Sequence, residues 1–481
     1  MPLDGDLTPV PAIDALTLPA PRAQPAPPVA RLCTVETEAR VRHTYGKAYR
    51  DVVRALRGDF AAAPDVVARP STEDEVVGLL DWATSTGLAV VPFGGGTSVV
   101  GGVECRDRSR PVLSLDLRGL AGVVEVDPTN RLALILGGTE GPAIAEALRP
   151  HGLSLRHYPQ SYEFSTLGGW VATRAGGHFA TGYTHIDDLV QSVRVVTPVG
   201  VAESPRVPAS GAGPAPDRLW LGSEGTLGVV TAARVRVQEI PTRTAKAAVR
   251  FADYGVAVAA TRDVVQSGLR PANCRLLDPL EALIGAGVAD GSCRLLLAFE
   301  SAVLDPSSDF EQALALCRRH GGTVGDPAGG GSSREWTDTF LRAPYLRDAL
   351  VRLGVVVETF ETACTWTAYA DLRSAVTDAV AAAGGVVSAR FTHVYPDGPA
   401  PYFTVYAPAR RGGEVEQWDA LKASVSAAIV ATGGTITHHH AVGRDHRPWY
   451  DRERPEPFAL ALRAAKSALD PAGILNPGVL L

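Results

Sequence analysis

The sequence predicts an α+β fold built from two domains. Its 481 residues exceed what one hydrophobic core usually organises. Short β-rich segments alternate with helical segments over the first half, and near Pro241 the pattern changes to strands separated by amphipathic helices. The second pattern is typical of an antiparallel sheet with helices on one face. We therefore expect a mixed first domain followed by a separate α+β domain.

Composition and charge exclude several classes of protein. Apolar residues make up 46% of the chain, and 46 Lys and Arg against 52 Asp and Glu give a net charge of −6. An acidic chain offers no electrostatic footprint for nucleic acid. The six cysteines, at 33, 105, 274, 293, 317 and 364, lack the C-x-x-C spacing of a zinc module and indicate no disulfide framework. We expect reduced thiols in a cytoplasmic protein.

Residues 1–40 are expected to form a disordered leader. The stretch PAPRAQPAPP and the lack of apolar periodicity leave too little surface to bury against the entropy of ordering. The leader lacks the continuous apolar region of a secretory signal, and no uncharged apolar stretch of about 18 residues occurs later. Neither export nor a spanning helix is expected, while peripheral membrane contact is compatible with the sequence.

The first domain is predicted to begin with two helices and a buried strand. A helical pattern over Lys47–Leu56 precedes a second helix, for which Ser71 followed by Asp74 predicts a capped N-terminus. That helix leads into the apolar run Leu88–Phe93, which predicts a short strand. Further predicted elements are the strands 111–115, 123–126, 132–136 and 191–199 and the helix 141–148.

The segment Pro92–Gly102, PFGGGTSVVGG, follows that strand. Glycine adopts positive φ without a Cβ clash, so the run Gly94–Gly96 can expose several N–H groups on one concave surface. Such a surface suits a pyrophosphate; a flexible turn between strands is the alternative. The segment lacks the P-loop lysine and the G-x-G-x-x-G order, so neither a kinase-like nor a nicotinamide-type Rossmann site is indicated.

The second domain is predicted to contain strands separated by helices. The predicted strands are 249–251 and 295–299 and the predicted helices are 254–265 and 310–317, and a last helix is predicted at 458–469 in the final stretch of the chain. The loop Asp326–Ser333 carries GGGSS with nothing strand-like directly before it, so we interpret it as a flexible excursion and not as a phosphate site.

Four separated segments together resemble the flavoprotein family of vanillyl-alcohol oxidase and p-cresol methylhydroxylase, the PCMH-type FAD-binding proteins. They are Pro92–Ser98, Gln160–Gly177 (QSYEFSTLGGWVATRAGG), Gly222–Val230 (GSEGTLGVV) and Thr437–Gly443 (THHHAVG). The resemblance covers the chain from about Arg42 to the C-terminus. Within the family, the segments look most like the alkyldihydroxyacetonephosphate synthases, which form ether lipids.

The resemblance implies FAD as cofactor, bound non-covalently. Phe93 stands where many covalently flavinylated relatives carry a histidine. The first two segments would bind the diphosphate, and GSEGTLG, which alone would be read as a β-turn, would run against the adenosine and the isoalloxazine edge. The implied cofactor-binding residues are Pro92, Phe93, Gly94, Gly95, Gly96, Thr97, Ser98, Gln160, Ser161, Ser165, Thr166, Gly168, Gly169, Thr173, Arg174, Ala175, Gly176, Glu224, Gly225, Thr226, Leu227, Gly228, Val229 and Val230.

Three adjacent histidines, His438, His439 and His440, distinguish branches of this family. Relatives that oxidise 2-hydroxy acids usually carry Glu-His-Gly here, whereas the ether-lipid synthases carry His-His-His-Gly-Val-Gly; this chain has Ala441 in place of the first glycine. Neighbouring side chains on a strand alternate between faces, so the three cannot easily hold one ion and no metal site is expected. We interpret them as an active-site cluster, with solvated or core histidines as the alternative.

One tyrosine and two arginines match further synthase motifs. Tyr402 in PYFTVY matches the catalytic tyrosine, and Arg275 in CRLLD and Arg347 in APYLRD match arginines expected to bind the substrate phosphate through their planar donor fork. A phenol of pKa about 10 is a poor base at neutral pH, so we expect the histidines to supply cations that lower it. The alternatives are surface ion pairs for the two arginines and a core position for the tyrosine. His393 is a further candidate site residue, with a core position as its alternative.

The function implied by the resemblance is that of an alkylglycerone-phosphate synthase-like transferase. It would exchange the acyl group of 1-acyl-dihydroxyacetone phosphate for a fatty alcohol through a flavin adduct, with no net redox change. The alternative is a FAD-dependent dehydrogenase or oxidase of a 2-hydroxy acid such as D-lactate, glycolate or 2-hydroxyglutarate, because the same segments serve both. A flavin-binding protein without catalysis is a third reading.

The resemblance also sets the expected architecture and partners. We expect a two-subdomain PCMH-type FAD-binding domain at 41–240, an antiparallel-sheet-and-helices cap at 241–430, and a C-terminal segment at 431–481 that packs back on the flavin site. The expected partners are small lipid substrates and no nucleic acid. A homodimer and peripheral membrane association of a cytoplasmic protein follow from the family only.

Overall fold

The first sheet has four strands and carries the glycine segment at the end of one of them. The computed structural model describes residues 7–179, 181, 185–324 and 345–481. Its first strands are β1 (Cys33–Thr34), β2 (Val66–Ala68), β3 (Ala89–Phe93) and β4 (Val112–Asp116), in the order β1-β2-β4-β3. β3 and β2 both run parallel to β4, and such strands are buried on both faces, which explains their continuous apolar runs.

The helix Glu73–Thr86 connects β2 to β3. Its N-cap is Thr72, whose hydroxyl accepts the Glu75 N–H at 3.3 Å while the Glu75 carboxylate turns back to the Thr72 N–H. The cap therefore lies one residue later than the predicted Ser71 and Asp74, because Ser71 instead donates to the Glu75 carboxylate. The helix delivers the chain into β3.

The second sheet is antiparallel and supports two of the segments that resemble flavoproteins. The strands that follow along the chain are β5 (Val123–Asp127), β6 (Leu132–Leu136), β7 (Leu153–Ser154), β8 (Val190–Thr197), β9 (Gly200–Glu203), β10 (Val229–Arg236) and β11 (Gln238–Glu239). The sheet order is β5-β6-β10-β8-β9, and β7 pairs with β11. The helix Leu167–Thr173 packs on β10, with Trp170 and Val171 in the same core as Ile135.

The third sheet has seven antiparallel strands, one face of which is covered by helices. The strands are β12 (Arg243–Phe251), β13 (Asn273–Leu277), β14 (Cys293–Ser301), β15 (Thr323–Val324), β16 (Val355–Glu361), β17 (Val386–Val394) and β18 (Pro399–Pro408), in the order β15-β12-β14-β13-β17-β18-β16. The covering helices are Tyr254–Gln266, Ser307–Arg319, Tyr369–Ala382 and Glu414–Ala431. Alternate residues such as Leu295, Leu297 and Phe299 enter this core, and the intervening residues face the other way.

A bulge on β17 turns a histidine to the open face of the third sheet. The register shifts between Phe391 and His393. Phe391 and Val394 both lie in the helix-side core although they are three residues apart, so one extra residue is accommodated between them. His393 then stands opposite Ala400, on the same face as Tyr402.

Residues 7–40 make specific contacts where the composition predicts disorder. The guanidinium and backbone N–H of Arg22 bind the buried carboxylate of Asp65 at 2.9–3.0 Å, and Arg40 donates to the Pro19 carbonyl at 2.6 Å. Charge-assisted bidentate bonds of this kind offset the ordering entropy. Asp65, the partner of Arg22, is too distant along the chain to be found from the composition of the leader.

The C-terminal segment returns to the first sheet. The N–H of Val90 on β3 donates to the Ile474 carbonyl at 2.8 Å, and the Asn476 N–H donates back to Val90 at 2.8 Å. The remaining helices are Thr37–Arg42, Tyr49–Leu56, Gly141–Leu148, Ile186–Leu189, Asp217–Trp220, Pro279–Ala286, Arg447–Glu453 and Glu456–Leu469. The predicted excursion Asp326–Ser333 lies outside the described residues, and none of the described helices is long and apolar enough to cross a membrane.

Candidate active site

The four segments singled out in the sequence meet at one place. A Cβ on Gly94 in the first segment would lie 2.4 Å from the Thr166 Oγ1 of the second. A Cβ on Gly176, further along the second segment, would lie 3.1 Å from the His439 Cβ in the histidine segment. The fold therefore brings segments that are far apart in the chain into one continuous site.

The glycine segment leaves its backbone donors available. Within the described part of the chain, the backbone N–H groups of residues 95–98 donate no hydrogen bond to protein. Gly95 passes so close to Phe164 that a Cβ would lie 1.8 Å from the Phe164 carbonyl oxygen, and Gly96 has a φ of 65° over the Phe93 ring. Adjacent unpaired N–H groups require an anionic acceptor or water, which fits a diphosphate.

The second segment is held rigidly behind the first. Thr166 caps the helix Leu167–Thr173 by accepting the Gly169 N–H at 3.3 Å. Trp170 is buried behind the segment, as the sequence predicts, and its indole N–H donates to the Ser165 hydroxyl at 2.7 Å. The Gly168 N–H donates to the Gly137 carbonyl at 2.7 Å, which fixes the segment to the second sheet.

Two predicted cofactor residues at the end of this helix are engaged within the protein. The Thr173 hydroxyl donates to the Gly169 carbonyl at 2.8 Å. Arg174 pairs with Asp187 at 2.8 Å and keeps about half of its side chain exposed. The Thr173 hydroxyl and the Arg174 Nε and Nη2 are thus bonded within the protein, and the assignment of both residues to the cofactor stays a prediction.

Glu224 joins the third segment to the histidine segment. Its buried carboxylate accepts the N–H groups of Val442 and Gly443 at 2.9 and 2.8 Å. Burial raises the pKa of Glu224 to about 7, against the effect of these two donors. Glu224 thus has a structural role, because it holds the backbone of the histidine segment in place. The side chains of Leu227, Val229 and Val230 are buried in the hydrophobic cores.

These residues fit a dinucleotide cofactor held by backbone groups. The free N–H groups at 95–98 offer partial positive charge to a diphosphate. Phe93 is buried under Gly96 and has no nucleophilic atom, so this position offers no covalent link. Bound FAD would be held by these residues and placed beside the histidine segment.

A single carboxylate holds the backbone of the three histidines. Glu361, the last residue of β16, accepts the N–H groups of His438, His439 and His440 at 2.6, 2.9 and 2.8 Å, and it also accepts the Thr437 hydroxyl. Burial raises the pKa of Glu361 to about 7, and the four donors oppose that shift. The histidine segment is therefore not a regular strand, which differs from the geometry assumed in the sequence argument.

The histidine rings pack together as neutral groups. His438 Nδ1 lies 3.0 Å from His439 Nδ1, the Tyr395 hydroxyl lies 2.8 Å from His438 Nε2, and His393 Nε2 lies 2.8 Å from the Gly177 carbonyl oxygen. Burial and neighbouring rings lower the pKa of these three histidines well below the ordinary value. Their nitrogens lie within 4.8 Å of one another, so the expected absence of a metal stays an untested prediction.

Tyr402 lies beside this cluster and under a cation that the sequence argument did not name. It is buried on β18, with Glu361 and Arg390 as its cross-strand neighbours. The Arg390 guanidinium carbon lies 3.9 Å from the centre of the Tyr402 ring. Burial raises the pKa of Tyr402 and Arg390 opposes the rise. Because burial keeps the neighbouring His439 and His440 neutral, the expectation of cationic histidines is replaced by one arginine.

The two predicted phosphate-binding arginines differ in their surroundings. Arg275 is fully buried on β13, where burial and the nearby Arg390 lower its pKa to about 9, and its Nη2 lies 3.3 Å from the His178 carbonyl oxygen. Arg347 lies in the helical residues 345–352 and pairs with Asp348 at 2.9 Å. Its charge is among the causes, after burial, that lower the pKa of His440, which places it near the histidines.

Sequence reasoning missed three charged residues of this site. Glu281, Glu361 and Arg390 lie in the largely apolar segments PLEALIGA, VVVETFE and VVSARF. Charged side chains are rarely buried unless they are paired, so a charge inside a largely apolar segment is the signal that could have identified them. Their partners come from other elements, which no local pattern reveals.

Comparison with known proteins identifies the family. The chain matches the family model for the C-terminal domain of FAD linked oxidases over residues 240–480 and an FAD binding domain over residues 64–203. It is 31% identical over 476 residues to the alkyldihydroxyacetonephosphate synthase of Dictyostelium discoideum, covering 92% of this chain and 77% of that protein. The chain belongs to the FAD-linked oxidase family. The predicted FAD cofactor and flavoenzyme class are thereby confirmed.

Solved structures of similar proteins have the same fold. An alkyldihydroxyacetonephosphate synthase crystallised in P212121 superposes with a TM-score of 0.83 at 26% identity, over 99% of this chain and 89% of that one. Substrate-bound p-cresol methylhydroxylase superposes with a TM-score of 0.74 at 15% identity, over 93% of each chain. The predicted α+β class, with a PCMH-type FAD-binding part and a cap, is confirmed.

Proposed function

We propose that this protein is an alkyldihydroxyacetonephosphate synthase-type transferase. It replaces the acyl group of 1-acyl-dihydroxyacetone phosphate by a fatty alcohol, with FAD as cofactor and no net redox change. The observation that carries this proposal is the placement of Tyr402, which lies buried between Arg390 and the neutral histidines where the flavin segments converge. The resemblance to synthases over most of the chain supports it.

The substrate phosphate is assigned to Arg275 and Arg347. Arg275 is a fully buried cation whose pKa is lowered to about 9, so an anion placed beside it would stabilise its charged form. Arg347, whose charge acts on His440, adds a second planar fork near the histidine segment. One dianion between two guanidiniums would fix the three-carbon unit at one end and leave its ester end free to approach Tyr402.

Tyr402 is assigned the proton transfer at the carbon that bears the ester. A base at this point needs a pKa near neutral pH. The Arg390 cation over the ring lowers the pKa of the Tyr402 phenol and so acts in that direction. His439 and His440 stand at the ring with centroid distances of 6.2 and 5.7 Å, and as neutral imidazoles of lowered pKa they do not compete with the phenolate for the proton. Bound FAD would supply covalent catalysis at its ring system.

The test is incubation of the FAD-loaded protein with acyl-dihydroxyacetone phosphate and labelled hexadecanol. The expected result is labelled alkyl product together with released fatty acid. Tyr402→Phe should abolish the product while FAD stays bound, and Tyr254→Phe, on a helix that covers the other face of the third sheet, serves as the control. Product formed by Tyr402→Phe at the unaltered rate contradicts the role of the tyrosine.

The same preparation distinguishes the rival 2-hydroxy-acid oxidation. Anaerobic mixing with D-lactate, glycolate or 2-hydroxyglutarate bleaches the flavin of a dehydrogenase, whereas a synthase does not become reduced by these acids. Bleaching by any of them without alkyl product overturns the proposed function. FAD absorbance with neither reaction identifies a protein that has lost catalysis.

Peripheral membrane contact and a homodimer belong to this proposal as well. Both substrates carry long apolar chains that reside in bilayers, so the enzyme must meet a membrane surface to collect them. Co-sedimentation with phosphatidylcholine vesicles tests the contact, and light scattering coupled to size-exclusion chromatography tests the dimer. A protein that stays in the supernatant at all lipid concentrations contradicts the membrane part.

A further inference from the structure

Arg390 is held in place by a carboxylate on a neighbouring helix. Its Nη1 donates to the Glu281 carboxylate at 2.5 Å, and the Ser388 hydroxyl donates to the other oxygen of that carboxylate at 2.6 Å. All of these groups are buried. Arg390 and Ser388 are alternate residues of β17, so one carboxylate binds two side chains on the same face of the strand.

The helix that carries Glu281 is itself fastened to β17. Asp278 caps this helix by accepting the Glu281 N–H at 2.8 Å, and its second oxygen accepts the Ala389 N–H at 2.9 Å. The Asp278 N–H in turn donates to the Ala389 carbonyl at 3.0 Å. The helix is thus joined to Ala389, the residue that precedes Arg390, which leaves the guanidinium little freedom to move away.

The orientation of Arg390 suits a charged phenol more than a neutral one. A cation over the face of an aromatic ring is attracted to it, and the attraction grows when the ring carries the delocalised charge of a phenolate. The Arg390 Nε is buried and has no hydrogen-bond partner among the residues that the structure describes. Glu281 therefore does not saturate the guanidinium.

Several other groups face Tyr402 and would act on its proton. The charged or titratable ones, taken from every strand and segment packed against its ring, are Arg390, Glu358, Glu361, Tyr406, His439 and His440. The two carboxyl groups raise the pKa of Tyr402 when they are ionised, and the neutral histidines carry no charge to lower it. Among the residues that the structure describes, Arg390 is the cation placed over the Tyr402 ring, while Lys422 pairs with Glu358 at 3.1 Å.

We propose that Arg390 and Glu281 are positioning residues that make Tyr402 a usable base. Arg390 stabilises the phenolate from above the ring, and Glu281, from behind, fixes Arg390 in that place. The consequence for catalysis rests on the proposed function, since it assumes that Tyr402 takes the substrate proton. The electrostatic relation itself is independent of any reaction.

The experiment is a pH titration of Tyr402 in the folded protein. The chain has 12 tyrosines, so the tyrosinate absorbance of Tyr402→Phe is subtracted from that of the wild type to isolate Tyr402. Arg390→Gln should raise the pH at which Tyr402 ionises by about one unit or more, a tenfold or larger loss of phenolate. Arg390→Lys, which keeps the charge without the fork, should give a smaller rise.

Variants of Glu281 distinguish a positioning role of this residue from a purely electrostatic effect on Tyr402. Removal of a negative charge alone would lower the pKa of Tyr402 slightly, whereas release of Arg390 would raise it. We expect Glu281→Ala to raise it and Glu281→Gln, which keeps an acceptor for Arg390, to raise it less. A lowered or unchanged pKa in Glu281→Ala overturns the proposal, as does an unchanged pKa in Arg390→Gln.

Controls keep the outcome independent of folding and of the proposed function. Arg294→Gln removes a guanidinium from β14 that pairs with Asp290, away from Tyr402, and should leave the titration unchanged. Circular dichroism and FAD content report folding, and the conservative Arg390→Lys still tests the proposal if the glutamine variant fails to fold. In the synthase assay, Arg390→Lys should shift the acidic limb of the rate profile to higher pH. A shifted titration without alkyl product contradicts only the proposed function.

Discussion

The buried carboxylate of Glu361 accepts the backbone N–H of His439 at 2.9 Å. Glu361 lies on β16, opposite Tyr402 in the strand register. One residue therefore connects the third sheet to the histidine segment. Burial raises the pKa of Glu361 to about 7. Its ionisation is therefore linked to the stability of the site.

Replacing Glu361 should flatten the dependence of stability on pH. A carboxyl whose pKa is raised on folding stabilises the protein most below its unfolded pKa, and this contribution is lost as the pH rises through about 7. We expect Glu361→Gln to remove up to about 3 kcal/mol of that pH dependence between pH 5 and 8. Urea unfolding at several pH values, with the exposed Glu146→Gln as control, measures it. Parallel wild-type and variant curves contradict the assignment.

A methyl group on Gly95 should prevent FAD binding. The Cβ would lie 1.8 Å from the Phe164 carbonyl oxygen, so the glycine segment must move away from the second segment and lose the arrangement of its N–H groups. We expect Gly95→Ala to retain less than about a tenth of the wild-type flavin, from the loss of two or more hydrogen bonds to a charged group. Gly211→Ala, where a Cβ meets nothing within 4 Å, is the matched control. Flavin absorbance per protein decides between them.

FAD should leave the protein when the protein unfolds. Phe93, beside the glycines, has no atom that can bond to the flavin, and the donors at residues 95–98 form only hydrogen bonds. Acid precipitation should therefore release all of the yellow cofactor into the supernatant. Flavin fluorescence that remains in the washed precipitate would demonstrate a covalent link at another residue.

The sequence predicts those parts of the fold that are determined locally. The helix 141–148 and the strand 132–136 occur as predicted because apolar periodicity specifies them within a few residues. The leader differs because Arg22 finds its partner, Asp65, in a different element. A composition argument counts the apolar surface of a segment and has no information about a distant carboxylate.

The site shows the same division. Tyr402, Arg275 and the three histidines are identified from short motifs, whereas Glu281 and Arg390, which come from a helix and a strand, are brought together only by packing. The protonation states of the histidines also depend on the fold. The motifs predict histidines near a tyrosine, and burial in the folded protein keeps those histidines neutral.

Replacing Ala441 by the glycine that the ether-lipid synthases carry should stabilise the protein. Ala441 has a φ of 72°, in the left-handed region, where a Cβ costs about 1 kcal/mol or more and glycine is free of that cost. Its neighbours on both sides are fixed by Glu361 and Glu224, so the turn cannot relax to another conformation. We expect Ala441→Gly to increase the free energy of unfolding by about 0.5–1 kcal/mol, because the gain exceeds the greater chain entropy of glycine. Equilibrium urea unfolding measures this change, with Ala441→Val as the opposite variant, which should destabilise the turn. A glycine variant less stable than the wild type contradicts the strained turn.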